Sequence, residues 1–293
     1  MKINLTYTVK KNLIPDFYYE VLSCYGLSAK NIKNSSLFII KNIFNSYTYN
    51  KELNNYTLKD NLHTNQLEIL NTVNQTITQL NSKLKSKYND KLNIYNQLKE
   101  KHIKSGNKEE FKEKEPKLIQ FNEYSSTIDS KTYYQIINKT LLENVIKTKE
   151  SINKKFIDYG EVHSHLAQTV VQQVCDEYNY YFKALKEYFK QHKDKNINNS
   201  NENNNNFTGM PKEPQYKAKN SKITFELSTQ RFNNNGTVLI IGKNHKLYKD
   251  YAKKDLLNNS IIEKFNSFNL MEVISNDLKE KNIHYLNNIN NYD

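Results

Sequence analysis

Two long segments of this chain repeat an apolar residue at every third or fourth position, which is the period of an α-helix. Such stripes predict long amphipathic helices, each needing a surface to pack against. The first stripe also suits a helical hairpin or a short coiled coil. It consists of Ile77, Leu80, Leu84, Tyr88, Leu92, Tyr95 and Leu98, and the second of Val162, Leu166, Val170, Val174, Tyr178, Tyr181, Leu185 and Tyr188.

The remaining chain combines shorter helical patterns with a few strand patterns. Residues 3–9 alternate apolar and polar positions, which predicts a strand. KITFEL and TVLIIG are rich in β-branched residues and are separated by the turn sequence NNNG, so they predict a hairpin. An asparagine tract at 196–206 predicts a disordered connector. Helices are predicted over residues 17–49, 67–104, 132–146, 161–190 and 256–286, a turn at 158–160 and an exposed loop at 105–123.

A helical block between an early strand and later strands predicts an α+β fold. We expect the strand at 3–9 to pair with those after Ile223 in a small split β-barrel, into which the helices are inserted as a separate lobe. The predicted domains are the first barrel strand at 1–15, the helical lobe at 16–195, the disordered connector at 196–210, a basic connector with the remaining barrel strands at 211–250, and a helical tail at 251–293.

The charge of the chain favours a polyanionic partner. The formal net charge is +12, which suits a nucleic acid. The basic residues are almost all lysine, and Arg231 is the only arginine. Lysine, asparagine, isoleucine and tyrosine all have AT-rich codons, so part of this basicity can also reflect genome composition.

The cysteines and the hydropathy pattern bound the compartment. Cys24 and Cys175 are far apart and form no CxxC pair, so a zinc ribbon and a disulfide framework are not expected. No segment approaches the roughly 20 apolar residues of a membrane span, and the N-terminus has no secretory signal pattern. We therefore expect a soluble intracellular protein, in the cytoplasm or nucleus, with no membrane partner, cofactor or metal.

Four segments together resemble the N-terminal half of TnpB-type proteins of the IS605/IS607 transposon group, the RNA-guided endonucleases related to Cas12 and Fanzor. They are LSAKNIKNSSLFIIKNIF, HLAQTVVQQVCDEYNYYFKALK, PKEPQYKAK and ITFELSTQRF. The resemblance covers roughly residues 1–250, with 67–130 as a helical insertion. It implies that the helical block is a recognition lobe and that the strands form the wedge barrel of the family.

The resemblance also implies residues that contact nucleic acid. Gln168 would read a base, because its amide pairs with adenine in the major groove, and Ser164 stands one turn earlier where relatives often have lysine. Tyr133 falls where relatives turn a tyrosine toward DNA. Ser228 or Thr229 matches a hydroxyl residue of a barrel strand. For Gln168 the alternative is a solvated position on the helix surface.

A basic connector would hold the guide RNA. Lysine ammonium groups neutralise phosphates without sequence preference, and an aromatic ring can pack on a sugar or base. Arg231 offers the planar fork for a bidentate phosphate contact. The alternative for the lysines is a solvated charged surface. The connector residues are Lys212, Tyr216, Lys217, Lys219 and Lys222.

The catalytic half of the family is not expected in this sequence. That half would show three metal-binding carboxylates in a RuvC nuclease domain and a CxxC…CxxC zinc site. Asp250 and Asp255 lie in lysine-rich sequence that does not fit the family's catalytic strand. The sequence therefore predicts a truncated or split TnpB-like protein that binds guide RNA or target DNA, is not an enzyme, and has a separate nuclease chain as a possible partner. The alternative is a helical protein-interaction module that uses the stripe from Ile77 to Leu98.

Overall fold

The structure, a computed structural model, describes residues 16–105, 111, 113–152, 158–162, 164–195, 209–218 and 221. These residues are mostly helical and include one small sheet. The elements in chain order are α1 (Asp16–Ser46), β1 (Tyr47–Asn50), β2 (Asn55–Leu58), α2 (Thr64–Lys104), β3 (Thr127–Ile128), α3 (Ser130–Tyr134), a 3-10 turn (Gln135–Ile137), α4 (Lys139–Ile152), α5 (Asp158–Glu161) and α6 (Ser164–Lys195).

The predicted α+β class is confirmed, because the described residues combine helices with a small antiparallel sheet. The sheet is open and antiparallel, in the order β1-β2-β3. The strands predicted for a barrel, at 3–9 and beyond Ile223, lie outside the described residues, as do the asparagine tract and the predicted helix at 256–286. The long helices predicted at 17–49, 67–104 and 161–190 are confirmed as α1, α2 and α6.

The hairpin β1–β2 is a feature that the sequence analysis missed. The helix predicted to reach residue 49 ends at Ser46, and the following Tyr-Thr-Tyr run is extended. The turn is built by asparagines: the Asn50 side chain accepts hydrogen bonds from the N–H groups of Glu52 and Leu53, and Asn54 adopts a φ of 50°. Asparagine tolerates this left-handed conformation better than most residues.

The predicted helix at 132–146 is wrong as a single element. α3 continues directly into the 3-10 turn, and Asn138, which is extended with a ψ of 124°, separates that turn from α4. The Asn138 side chain accepts hydrogen bonds from the N–H groups of Thr140 and Leu141, so it caps α4. Apolar spacing continues across the break, which is why periodicity alone did not reveal it. The turn predicted at 158–160 is likewise a single helical turn, α5.

The segment that returns from α2 to β3 is held against α2 by two asparagine side chains. Asn81 donates to the carbonyl of Phe121 (2.8 Å) and accepts from the Phe121 N–H (2.9 Å). Asn74 makes the same pair of bonds with Tyr124, at 2.9 and 2.8 Å. Seven helical residues and three extended residues both span about 10 Å, so the two sets of bonds stay in register.

The chain divides into two compact units. The first contains residues 1–34, 157–170 and 217–293, and the second contains 35–156 and 171–216. The domain boundaries expected from the sequence are not tested by this division and stay predictions. In the first unit, Tyr25, Ala29 and Ile32 of α1 and Leu166 and Val170 of α6 are buried.

The core of the second unit is formed by buried apolar residues from four helices. The second half of α1 is the most apolar of these, with the sequence LFIIKNIF. An aromatic cluster lies beside this core and is described below. The core residues include Leu37, Ile40 and Ile43 of α1, Ile69, Val73 and Ile77 of α2, Leu141, Leu142 and Val145 of α4, and Val171, Val174 and Tyr178 of α6.

Candidate nucleic-acid interface

Tyr133, predicted to face DNA, lies in the middle of an aromatic stack in the second unit. Its ring is parallel to that of Tyr56, with centroids 3.8 Å apart and planes 5° apart, and its other face stacks on Phe44 at 4.8 Å. The Tyr133 hydroxyl donates to the carbonyl of Phe44 at 3.4 Å. Because both faces of the ring are occupied, no base can stack on Tyr133 in this structure. Any contact with nucleic acid would be made by the ring edge.

The neighbouring tyrosines are neutral members of the same cluster. Burial raises the pKa of Tyr133 above its ordinary value. It does the same for the pKa of Tyr56, where the Tyr134 hydroxyl, 3.2 Å from that of Tyr56, adds to the effect. Tyr134 packs edge-on against Phe182 of α6 at 4.9 Å. The stack therefore joins the hairpin to α3 and α6 as a packing element.

The carboxylate of Glu213 links the connector at 209–218 to both α1 and α6. Lys41 of α1 forms an ion pair with Glu213 Oε2 at 2.7 Å. The Tyr178 hydroxyl donates to Glu213 Oε1 at 2.9 Å, and burial is the main reason why the pKa of Tyr178 is raised. Lys41 also lies over the Tyr216 ring, 5.7 Å from its centroid. These contacts all lie in the second unit.

A third asparagine fixes the connector backbone in the first unit. Asn34 donates to the carbonyl of Lys217 at 3.0 Å and accepts from the Lys217 N–H at 2.9 Å. This is the same two-bond arrangement that Asn74 and Asn81 make with the segment returning from α2. The Lys217 backbone is thus engaged while its side chain is exposed.

The predicted RNA-binding residues that lie in the described part of the connector are all exposed. Lys212 is exposed, and Tyr216 is 47% exposed. Burial by its neighbours raises the pKa of Tyr216, with the Glu213 charge as a second cause. The other predicted residues, Lys219, Lys222, Ser228, Thr229 and Arg231, lie outside the described residues.

Ser164 and Gln168, predicted to face a base, lie on the first turns of α6 in the first unit. Ser164 is exposed at the start of the helix and Gln168 is half-buried one turn later. On the same turns the Thr169 hydroxyl donates to the carbonyl of His165 at 2.9 Å and lies 3.2 Å from its Nδ1. The base-reading role of Gln168 stays a prediction.

A basic and aromatic face on the second half of α6 was not among the predicted site residues. Lys183, Lys186 and Lys190 lie within about 60° of one another around the helix. Tyr180 on one flank is 69% exposed, and Phe189 on the other is 47% exposed. Lys183 lies over the Tyr180 ring at 5.8 Å. We call these five residues the α6 face. Their spacing in the sequence is a signal that could have predicted this face, which lies opposite the apolar stripe of α6.

Acidic residues are few along this part of α6. Between residues 180 and 195 the sequence carries five lysines and two acidic residues, and one of the acidic residues, the exposed Glu187, lies among the lysines of the α6 face. Aromatic rings between lysines give a surface that can contact both phosphates and bases. The α6 face and the exposed connector residues Lys212 and Tyr216 belong to the same unit.

Among the described residues, no three His, Cys, Asp or Glu side chains are close enough to hold a metal ion. None of the helices in the described ranges is long and apolar enough to cross a membrane. Cys175 is buried within α6, and burial raises the pKa of its thiol to about 12.

No protein-family model, curated protein or solved structure matches the chain.

Proposed function

We propose that this protein binds nucleic acid, with single-stranded RNA as the preferred partner, and does not cleave it itself. The finer version follows the resemblance to TnpB-type proteins: a recognition lobe and wedge barrel that hold a guide RNA and contact target DNA, with a nuclease on another chain. In that version the strands at 3–9 and beyond Ile223 complete the barrel.

The observation that supports the proposal is the α6 face. Its three lysines are directed to one side of α6, so their positions relative to one another are set by the helix itself. Lysines in such a row neutralise successive phosphates, while the exposed rings of Tyr180 and Phe189 offer platforms for bases. A duplex hides its bases in the stack, which is why the exposed rings favour a single strand.

The anchored connector supports the same partner. Glu213 is bound by Lys41 and Tyr178, so the carboxylate of the connector is directed toward the protein. Lys212 and Lys217 are exposed. The surface that the connector presents to solvent is consequently more basic than its sequence suggests.

The test compares two triple variants that remove the same charge. Lys183→Gln/Lys186→Gln/Lys190→Gln neutralises the α6 face, and Lys83→Gln/Lys85→Gln/Lys87→Gln neutralises three exposed lysines of α2. Binding of a labelled 20-nucleotide single-stranded RNA is measured by fluorescence anisotropy at several salt concentrations. We expect the α6 variant to lose affinity on the order of tenfold and to lower the slope of log K against log salt by about 2, at roughly 0.7 per phosphate contact.

Two further measurements are needed. One separates base stacking from charge attraction, and the other separates guide-RNA binding from binding of any single-stranded RNA. Tyr180→Leu/Phe189→Leu should lower the affinity for single-stranded RNA by on the order of tenfold and leave the affinity for duplex RNA nearly unchanged. RNA that copurifies with the full chain, expressed with its flanking locus, should be one discrete transcript if the protein holds a guide. Equal losses in the two lysine variants would contradict the α6 face as the site, and unchanged binding in both would contradict the proposal.

A further inference from the structure

The distal half of α2 carries an apolar stripe that the described part of the chain leaves largely uncovered. All buried residues of this 41-residue helix lie between Gln66 and Leu80. Beyond Leu80 the same side of the helix continues with apolar residues that are half-buried or exposed. We call this set the distal stripe: Leu84, Tyr88, Leu92, Tyr95 and Leu98.

The spacing of the distal stripe is that of a surface for another helix. Its five residues follow at steps of four, four, three and three, so four steps cover two heptads. An average step of 3.5 residues keeps the stripe facing a partner helix along its whole length. The stripe covers about 120° of the helix circumference, which is the width of an apolar face that packs against another element.

Of the segment that follows α2, the described residue Phe111 covers one end of the stripe. The Phe111 ring packs against Tyr95 and His102, with centroids 5.5 and 5.4 Å apart. Leu98 is 44% exposed, and its neighbour Ile94 is 56% exposed. A helix of this length with so little packing is marginal in water, so an occupant that buries the stripe would stabilise it.

The charges beside the stripe select the occupant. Four exposed lysines lie on this side of the helix. Lys85 and Lys87 flank the stripe at about 80° from its centre, and Lys91 and Lys99 lie at about 40°, among its apolar residues. Asp90 and Glu100 lie about 140° away, and Glu100 is paired with Lys104 at 2.6 Å.

A second copy of this chain does not fit such a surface. In either orientation its lysines would face lysines, and like charges beside a helical seam oppose pairing. An anionic single strand would contact the lysines and could stack bases on the two tyrosines, but it would leave the three leucines in water. An acidic amphipathic helix satisfies both the apolar stripe and the lysines.

We infer that the distal stripe is a docking surface for an acidic amphipathic helix of another protein. The partner helix would place leucine or isoleucine on the stripe and glutamate or aspartate beside the lysines. The surface is separate from the α6 face, so it adds a protein partner to a chain whether or not that chain binds RNA.

The experiment uses the full chain and three synthetic 21-residue peptides. The acidic probe has leucine at heptad positions a and d and glutamate at e and g; the basic probe has lysine at e and g; the scrambled probe has the acidic composition without the heptad. Calorimetry at 100 mM salt should show binding of the acidic probe and at least about tenfold weaker binding of the other two. Sedimentation should show a monomer without the probe.

Two variants test the surface itself. Tyr88→Ser/Leu92→Ser should lower the affinity for the acidic probe by about tenfold or more. The control Asn93→Ser/Gln97→Ser, on the opposite exposed side of α2, should leave that affinity unchanged. Lys87→Glu/Lys91→Glu should reverse the preference toward the basic probe. Both sets should keep their helical circular dichroism and their affinity for single-stranded RNA.

Several outcomes would overturn the inference. Equal binding of the acidic and scrambled probes would show charge attraction without helix docking. A dimer that Tyr88→Ser/Leu92→Ser dissociates would make a second copy the occupant. Stripe-dependent binding to vesicles containing phosphatidylserine would make a membrane surface the occupant, and no binding of any probe would remove the docking surface. Loss of RNA binding in the α6 variants alone would leave this inference intact.

Discussion

The two halves of α2 have the same periodicity but different surroundings. In the proximal half, Ile69, Val73 and Ile77 are completely buried. In the distal half, Leu84 and Leu92 occupy equivalent positions on the helix and are only half-buried. The returning segment is fixed to the proximal half by Asn74 and Asn81, and α4 packs there as well. Apolar spacing thus predicts a helix and its face, while coverage depends on where the rest of the chain runs.

The largest expected difference between the halves is the cost of removing an aliphatic side chain. Ile77→Ala should destabilise the protein by about 3 kcal/mol, because it leaves a cavity in a closed core. Leu92→Ala should cost less than about 1 kcal/mol, because solvent already reaches that side chain. Urea denaturation followed by circular dichroism measures both. Similar shifts in the midpoint would show that the distal half is packed in solution.

The two lysine–glutamate pairs that involve α2, one in each half, should differ in how much they stabilise the protein, with the larger contribution again in the proximal half. Lys149 is buried, 3.3 Å from Glu68 and over the Phe38 ring at 5.2 Å. Glu68→Gln should cost about 1–2 kcal/mol, since it removes a negative charge 3.3 Å from a buried ammonium group. Glu100→Gln removes an exposed pair and should cost no more than about 0.5 kcal/mol. Raising the salt concentration should shrink the second effect and leave the first largely unchanged, and a larger effect at Glu100 would contradict the comparison.

The hydrogen bonds of Asn74 and Asn81 should determine how far along α2 the returning segment packs. Asn81→Ala removes two hydrogen bonds to Phe121 and should cost about 1 kcal/mol. Asn93→Ala, on the exposed distal half, serves as its control and should be nearly neutral. Hydrogen exchange should show faster exchange of the Phe121 amide in Asn81→Ala. An unchanged exchange rate would mean that other contacts hold the segment.

The smallest effect concerns pH at the proximal end. Burial raises the pKa of Tyr47 to about 12, and its hydroxyl donates to the carbonyl of Ser125 at 2.8 Å. A tyrosine with a raised folded pKa contributes stability below its unfolded pKa, near 10, and loses that contribution as the pH rises toward 12. The destabilisation caused by Tyr47→Phe, about 1 kcal/mol at pH 8, should therefore be smaller at pH 11. A constant difference in urea titrations would contradict this assignment.

The candidate site shows a similar division between what could and could not be predicted. Lys212 and Tyr216 could be selected because lysines around an aromatic residue in a proline-containing segment mark an exposed connector, and both are exposed. The stack around Tyr133 could not be predicted, because Tyr56 and Phe44 come from distant segments. The role of Glu213 was missed for the same reason, since Lys41 and Tyr178 are far from it in sequence.

The sequence by itself determined the long helices and their apolar faces, because periodicity is a local property that a dozen residues suffice to display. It also determined the excess of lysine and the scarcity of cysteine. The tertiary structure decided which part of each stripe is buried, which tyrosines stack, and which carboxylate holds the connector. These features depend on contacts between residues distant along the chain, such as Asn34 and Lys217, and no local pattern records them.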